Sequence, residues 1–96
     1  MPFEWDERKR RANLVKHGVD FAHAVRIFDG PTLEAQDRRR EYGETRIGAF
    51  GDADREVYFV VYAWRGANRR IISARKAGSN ERNLYRAAIA RSHAPH

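Results

Sequence analysis

Apolar residues at Phe21, Ala24, Val25 and Phe28 recur at i, i+3, i+4 and i+7, the spacing of one buried helix face. Asp20 is placed to cap that helix and Gly30-Pro31 to stop it. From Thr32 onward the period shortens to two. Thr32 to Gln36 predicts a weak strand, Asp37 to Gly43 a polar turn, and Glu44 to Phe50 a second strand with Ile47 and Ala49 on one face. Gly51-Asp52-Ala53-Asp54 predicts a turn into Glu56 to Trp64, whose unbroken run Val57 to Tyr62 suits a central strand buried on both faces. Arg65-Gly66-Ala67-Asn68 turns again into Arg69 to Ala74, a strand built on the β-branched pair Ile71-Ile72.

Two further helices flank this meander. Phe3-Glu4-Trp5 alternates and predicts a short edge strand, after which Asp6 caps a highly charged helix to Lys16, with Ala12 and Val15 as its thin apolar side. Gly18 is placed to end it in the left-handed conformation. At the other end, Gly78-Ser79-Asn80 supplies a turn with Ser79 or Asn80 as the N-cap, and Glu81 suits the positive end of the helix dipole. Leu84, Ala88 and Ile89 are expected to pack that last helix back on the sheet. The fold class expected is α+β: two N-terminal helices, an antiparallel meander of three to four strands, and a C-terminal helix packed on the sheet. A chain of 96 residues forms one domain, residues 1–96, because it buries only about 60 to 65% of its unfolded surface.

Charge changes this picture. Residues 1–64 carry 11 Lys and Arg against 12 Asp and Glu, whereas residues 65–96 carry 8 against 1, so all the excess positive charge falls in the last third. A segregated basic field around a strand exit is what attraction of a polyanion requires, and nucleic acid is the partner it favours. Cysteine is absent, which removes disulfides, Cys-based zinc sites and thiol nucleophiles. No apolar run approaches the roughly 18 residues of a membrane span, and the N-terminus lacks a basic region followed by an apolar one, so the expectation is cytoplasmic with no membrane partner.

The candidate chemistry gathers at Arg69 to Tyr85. Arg75 and Lys76 fall at a strand exit, with Glu81, Arg82 and Tyr85 just beyond. RNA cleavage by its own 2′-hydroxyl needs a proton acceptor, positive charge over the phosphorane oxygens and an acid for the leaving oxygen. Arg75 and Arg70 are candidates for the charge, since a guanidinium stays ionised and forks onto two phosphate oxygens. The alternative is that one of them pairs with Glu81 or Glu44, and their positions argue against both being so occupied. Tyr85 is a candidate for proton transfer if neighbouring Arg75, Lys76 or Arg82 favours its ionised form, or for stacking on a base; the alternative is a ring packed on the sheet. His17 is the other proton-transfer candidate, against a plain interaction with helix-end carbonyls. Lys16 shares that ambiguity. Arg82, Arg86 and Arg91 along the last helix either attract RNA or form a solvated face. Arg38-Arg39-Arg40 is read as solvated or as a secondary RNA contact. No metal-ligand spacing is visible: His17 and His23 belong to different helices, and His93 and His96 to the C-terminal tail. The expectation is no cofactor and no metal.

The order and spacing of several pieces resemble the BrnT toxins of bacterial type II toxin–antitoxin systems. They are Phe3-Glu4-Trp5-Asp6, Asn13-Leu14-x-Lys16-His17-Gly18-Val19-x-Phe21, Phe28-Asp29-x-Pro31, Tyr42-Gly43-Glu44-x-Arg46, Arg65-Gly66, and Arg70-Ile71-Ile72-Ser73-Ala74-Arg75-Lys76-Ala77 with Glu81-Arg82 and Tyr85. The resemblance implies a RelE-like ribonuclease that inhibits translation. Its partners would be an RNA substrate and a BrnA-like ribbon-helix-helix antitoxin, bound as a heterotetramer, with operator DNA reached only through the antitoxin. Arg75, Tyr85, Glu81, Arg70 and His17 would then be catalytic, and Lys16, Arg46, Lys76, Arg82 and Arg86 would bind RNA. Two readings from other classes stand beside it: a nucleic-acid-binding module without catalysis, and an interaction subunit of a repressor complex.

Overall fold

The computed structural model describes residues 2–92, so His93 and His96 lie outside the described residues. The elements run β1 (Phe3–Glu4), α1 (Glu7–His17), α2 (Phe21–Ala24) continuing as a 3₁₀ turn (Val25–Asp29), β2 (Thr32–Gln36), β3 (Ile47–Ala53), β4 (Glu56–Arg65), β5 (Asn68–Lys76) and α3 (Ser79–Ser92). The expected α+β class is observed. One five-stranded sheet has the order β1-β5-β4-β3-β2, with β2 to β5 an antiparallel meander and β1 added parallel to β5 through Phe3 and Glu4 opposite Arg69 and Arg70. No helix among the described residues is long and apolar enough to cross a membrane.

Local chemistry accounts for most boundaries. Asp6 accepts from the Arg8 and Lys9 amides to start α1, and Gly18, at φ 69°, ends it with its N–H on the Leu14 carbonyl. Asp20 caps α2 through the Ala22 amide and holds Arg10 at 3.0 Å. Two expectations shift. The β3–β4 turn is only Asp54-Arg55, both at positive φ, so β3 runs on through Gly51, Asp52 and Ala53. For α3, Gly78 is the capping residue rather than Ser79 or Asn80: its carbonyl takes the first helical bond, from Arg82, while the Glu81 carboxylate reaches back to its N–H at 2.7 Å.

The second helix tightens after one turn. A 3₁₀ segment repeats every three residues, so burial passes from Phe21 and Ala24 to Ile27, while Val25 and Phe28 are only partly covered. Phe21, Ala24 and Ile27 meet Ala49, Val60, Tyr62, Ile71 and Ala74 on one sheet face. Helix α1 joins that layer differently from expectation, because Ala12 is exposed and Val15 is 89% exposed. Its buried residue is Asn13. The Asn13 amide donates to the Val19 and Ala74 carbonyls at 2.9 and 2.8 Å, and its oxygen accepts from the Ala74 amide at 3.1 Å. It therefore supplies the strand-like partner that β5 lacks once β1 has ended. Just before it, the β4–β5 register slips: Ser73 pairs with Val61 and Ile71 with Tyr62, so Ile72 bulges.

The opposite sheet face is covered at one end by α3. Tyr85 and Ile89 pack on Phe50, Val57 and Ala77 there, whereas Leu84, expected in that interface, is 71% exposed. A helix repeat of 3.6 residues allows only one stripe inward, and the large Tyr85 ring takes it. The expected double burial of β4 holds with one gap: from Val57 to Ala63 every residue is buried except Phe59.

Candidate nucleic-acid site

The gap over Phe59 opens onto two contiguous recesses. The first, about 430 Å³, has Phe50, Phe59 and Gly48 beneath it and Leu33 and Ala35 of β2 along its wall. The second, about 580 Å³, is strongly polar and lies between the 37–46 loop, β5 and the end of α1. Lys16, His17, Arg39, Arg40, Arg46 and Arg75 line it. Arg75, Arg39, Asp37 and Phe59 are common to both.

Each cation reaches the site by a different local device. Lys16 and His17 are the last two residues of α1, which Asn13 fixes against β5. Among the described residues neither side chain has a hydrogen-bond or ion-pair partner. Arg75 stands opposite Phe59 in the β4–β5 ladder, with its guanidinium 4.8 Å from the ring centroid. Glu81 grips it in a bidentate pair at 2.8 and 2.9 Å, and in turn Arg75 and the Gly78 amide hold the Glu81 carboxyl down at about 2. The loop is organised by Asp37, whose side chain is only 4% exposed. It accepts from Arg39 and from the Tyr42 hydroxyl at 3.1 Å, and Arg39 chiefly holds it well below the usual carboxylate range. The Asp37 amide bonds to the Arg46 carbonyl at 2.7 Å, closing the loop. Arg46 then lies over the Tyr42 ring at 4.2 Å, beside Glu44, which is held below its ordinary range first by Arg65.

The predicted site residues are thus divided. Arg75, Glu81, His17, Lys16 and Arg46 come together around the recesses. Arg70 does not: it pairs with Glu4 at 3.0 Å on the β1–β5 edge. Arg75 takes Glu81, one of the two partners anticipated, whereas Arg70 takes the edge residue Glu4, which was not among them, and so both arginines are occupied. Tyr85 is also elsewhere. Its ring is buried beneath α3, its hydroxyl donates to the Pro31 carbonyl at 2.7 Å, and burial pushes its pKa up, the reverse of the expected activation. Lys76 faces Glu56 at 3.7 Å, and Arg86 binds Asp52 and the Arg55 carbonyl at the far hairpin. Arg82 lines neither recess.

Sequence reasoning passed over Asp37, Tyr42 and Phe59 as site residues, and gave Arg39 no more than a solvated or secondary RNA-contact role within Arg38-Arg39-Arg40. The alternation of acidic and basic residues in Asp37 to Arg46 was the available signal, and it reads equally as a solvated turn. Among the described residues no three His, Cys, Asp or Glu side chains gather as a metal-holding group. The assembled surface can bind a phosphodiester, place an imidazole beside it and set positive charge over it. No curated protein matches the chain. Residues 5–81, which include every residue lining the two recesses, match the family described as the ribonuclease toxin, BrnT, of type II toxin–antitoxin systems. The chain therefore belongs to the BrnT family of ribonuclease toxins, whose type II membership implies an RNA target and a protein antitoxin.

Proposed function

We propose that the chain cleaves single-stranded RNA without a metal, by attack of the 2′-hydroxyl on the adjacent phosphate, in the polar recess between α1, β5 and the 37–46 loop. The observation that carries this reading is the convergence there of Lys16, His17, Arg40, Arg46 and Arg75 from three separate elements. Lys16 and Arg46 hold the phosphate. His17 takes the proton of the 2′-hydroxyl as that oxygen bonds to phosphorus, and the P–O5′ bond breaks with the leaving 5′-oxygen taking a proton from solvent. Arg75 stabilises charge that develops on the phosphorane oxygens, using the Nε–H and the second Nη2–H that Glu81 and the Lys76 carbonyl leave free, while Glu81 fixes the plane of the guanidinium. Tyr85 and Arg70 take no part.

Inhibition of translation follows from cutting messenger RNA in the cytoplasm. A BrnA-like ribbon-helix-helix antitoxin neutralises the toxin in a heterotetramer and carries the complex to operator DNA. The test is cleavage of single-stranded RNA by the purified chain with a chelator present, followed by analysis of the ends. We expect activity to persist and to leave 2′,3′-cyclic phosphate or 3′-phosphate, with His17→Ala strongly impaired and Tyr85→Phe unchanged. Loss of activity on chelation with rescue by a divalent ion would overturn the mechanism.

A further inference from the structure

We propose that the apolar recess beside Arg75 is the seat of one unpaired nucleobase, held by its face and not read by its edge. This rests on the neighbouring polar recess being the phosphate site. The floor is an aromatic pair: the Phe50 and Phe59 rings lie 4.6 Å apart between centroids, tilted by 38°. Phe59 is the one residue of the buried β4 run that is left partly open, in the window between α3 and the 37–46 loop. Gly48 makes room on β3 for the Phe59 ring, since a Cβ there would stand 2.6 Å from its Cζ. Leu33, 37% exposed on edge strand β2, supplies an apolar wall that the core does not use.

The occupant is set by charge and size. The volume of about 430 Å³ falls in the range of small-molecule sites, about 300 to 1,000 Å³, and suits a base rather than a duplex. The recess adjoins the cation-lined one through Arg75 and Arg39, so a ligand that joins a flat apolar group to an anion can fill both. A nucleotide meets both demands: its base stacks against the Phe50–Phe59 pair beside the Arg75 guanidinium, which lies 4.8 Å from the Phe59 centroid, while its phosphate faces the cations of the polar recess. Stacking on an aromatic ring accepts any base, because each presents a π-face.

The experiment uses short single-stranded RNA with 2′-O-methyl riboses, which cannot attack the adjacent phosphate, and 2-aminopurine placed at successive positions. Binding to the full chain should quench the fluorophore at one position. An abasic residue at that position should weaken binding roughly ten- to hundredfold, while exchange among the four bases changes it only a few-fold. Phe59→Leu should show the same loss with intact RNA and no further loss with abasic RNA. Leu33→Ser, on an exposed edge strand, reads the same recess should Phe59→Leu fail to fold. Equal affinity of the parent for intact and abasic RNA would overturn the proposal. So would variants that weaken antitoxin binding while leaving the base dependence intact, which would give the recess to the protein partner. Binding here is measured without cleavage, so failure of the cleavage chemistry leaves this result readable.

Discussion

Arg75 and Glu81 form the unit on which the site turns. The carboxylate closes the first turn of α3 and clamps the guanidinium in one motion, so helix start and site geometry are tied together. Arg75→Ala is expected to lower the cleavage rate by on the order of a hundredfold, the effect of one lost preorganised donor, with the fold intact. Arg75→Lys should recover little, because an ammonium keeps the charge but cannot form the fork that Glu81 holds. Single-turnover rates at saturating RNA check both. The pair also has a pH signature. The Glu81 carboxyl is depressed from 4.5 to about 2 by Arg75, so its contribution is fully present above about pH 4.5 and is lost as pH falls through about 2. With both side chains about a third exposed, that contribution is below about 1 kcal/mol. Urea unfolding of the parent and Glu81→Gln at several pH values should show a small gap that narrows across this window.

At the scale of elements, α1 is held in an unusual way. Its apolar residues face solvent, and its attachment to β5 runs through the three hydrogen bonds of buried Asn13. Asn13→Ala leaves buried carbonyls and an amide without partners, at a cost of about 2 to 4 kcal/mol. It should also loosen Lys16 and His17, which follow on the same helix. We expect a lower melting temperature and, below that temperature, cleavage reduced more than RNA binding. Asn13→Asp is a second probe, since it keeps the acceptor for the Ala74 amide and loses the donor to both carbonyls. The 37–46 loop is pinned similarly, by the buried Asp37 carboxylate.

For the whole molecule, Arg75 is, among the described residues, the one basic residue of the last third that lines the two recesses, and the rest of that charge lies away from them. Lys76 and Arg86 pair with Glu56 and Asp52 and Arg82 lines neither recess, while Arg39, Arg40 and Arg46 from the middle of the chain and Lys16 from its start join Arg75 in the polar one. Long-range attraction depends on the total of +6, and local binding on which charges converge. Expression of the chain alone should arrest growth, and co-expression with its antitoxin should restore it. Arg75→Ala should be tolerated alone yet still bind the antitoxin in a pull-down, separating catalysis from complex formation. Unimpaired growth at verified expression of the parent would count against the toxin acting in this way.

The sequence by itself determined the elements and their order, because periodicity, caps and turn residues act over a few neighbouring positions. Asp6, Gly18, Asp20, the Val57–Tyr62 run and the β5 strand are all of this kind. It also brought Arg75, Glu81, His17, Lys16 and Arg46 into view, through residue chemistry and a family resemblance. Tertiary structure decided the rest. Whether α1 docks through Ala12 and Val15 or through Asn13 depends on where β1 stops along β5, sixty residues away in the chain. Tyr85 turned inward and Leu84 outward because the sheet offers α3 a single contact stripe. The window over Phe59 exists only because α3 and the 37–46 loop cover β4 from opposite ends and leave one residue between them. Such a gap is a property of three elements packed together, and no local pattern encodes it.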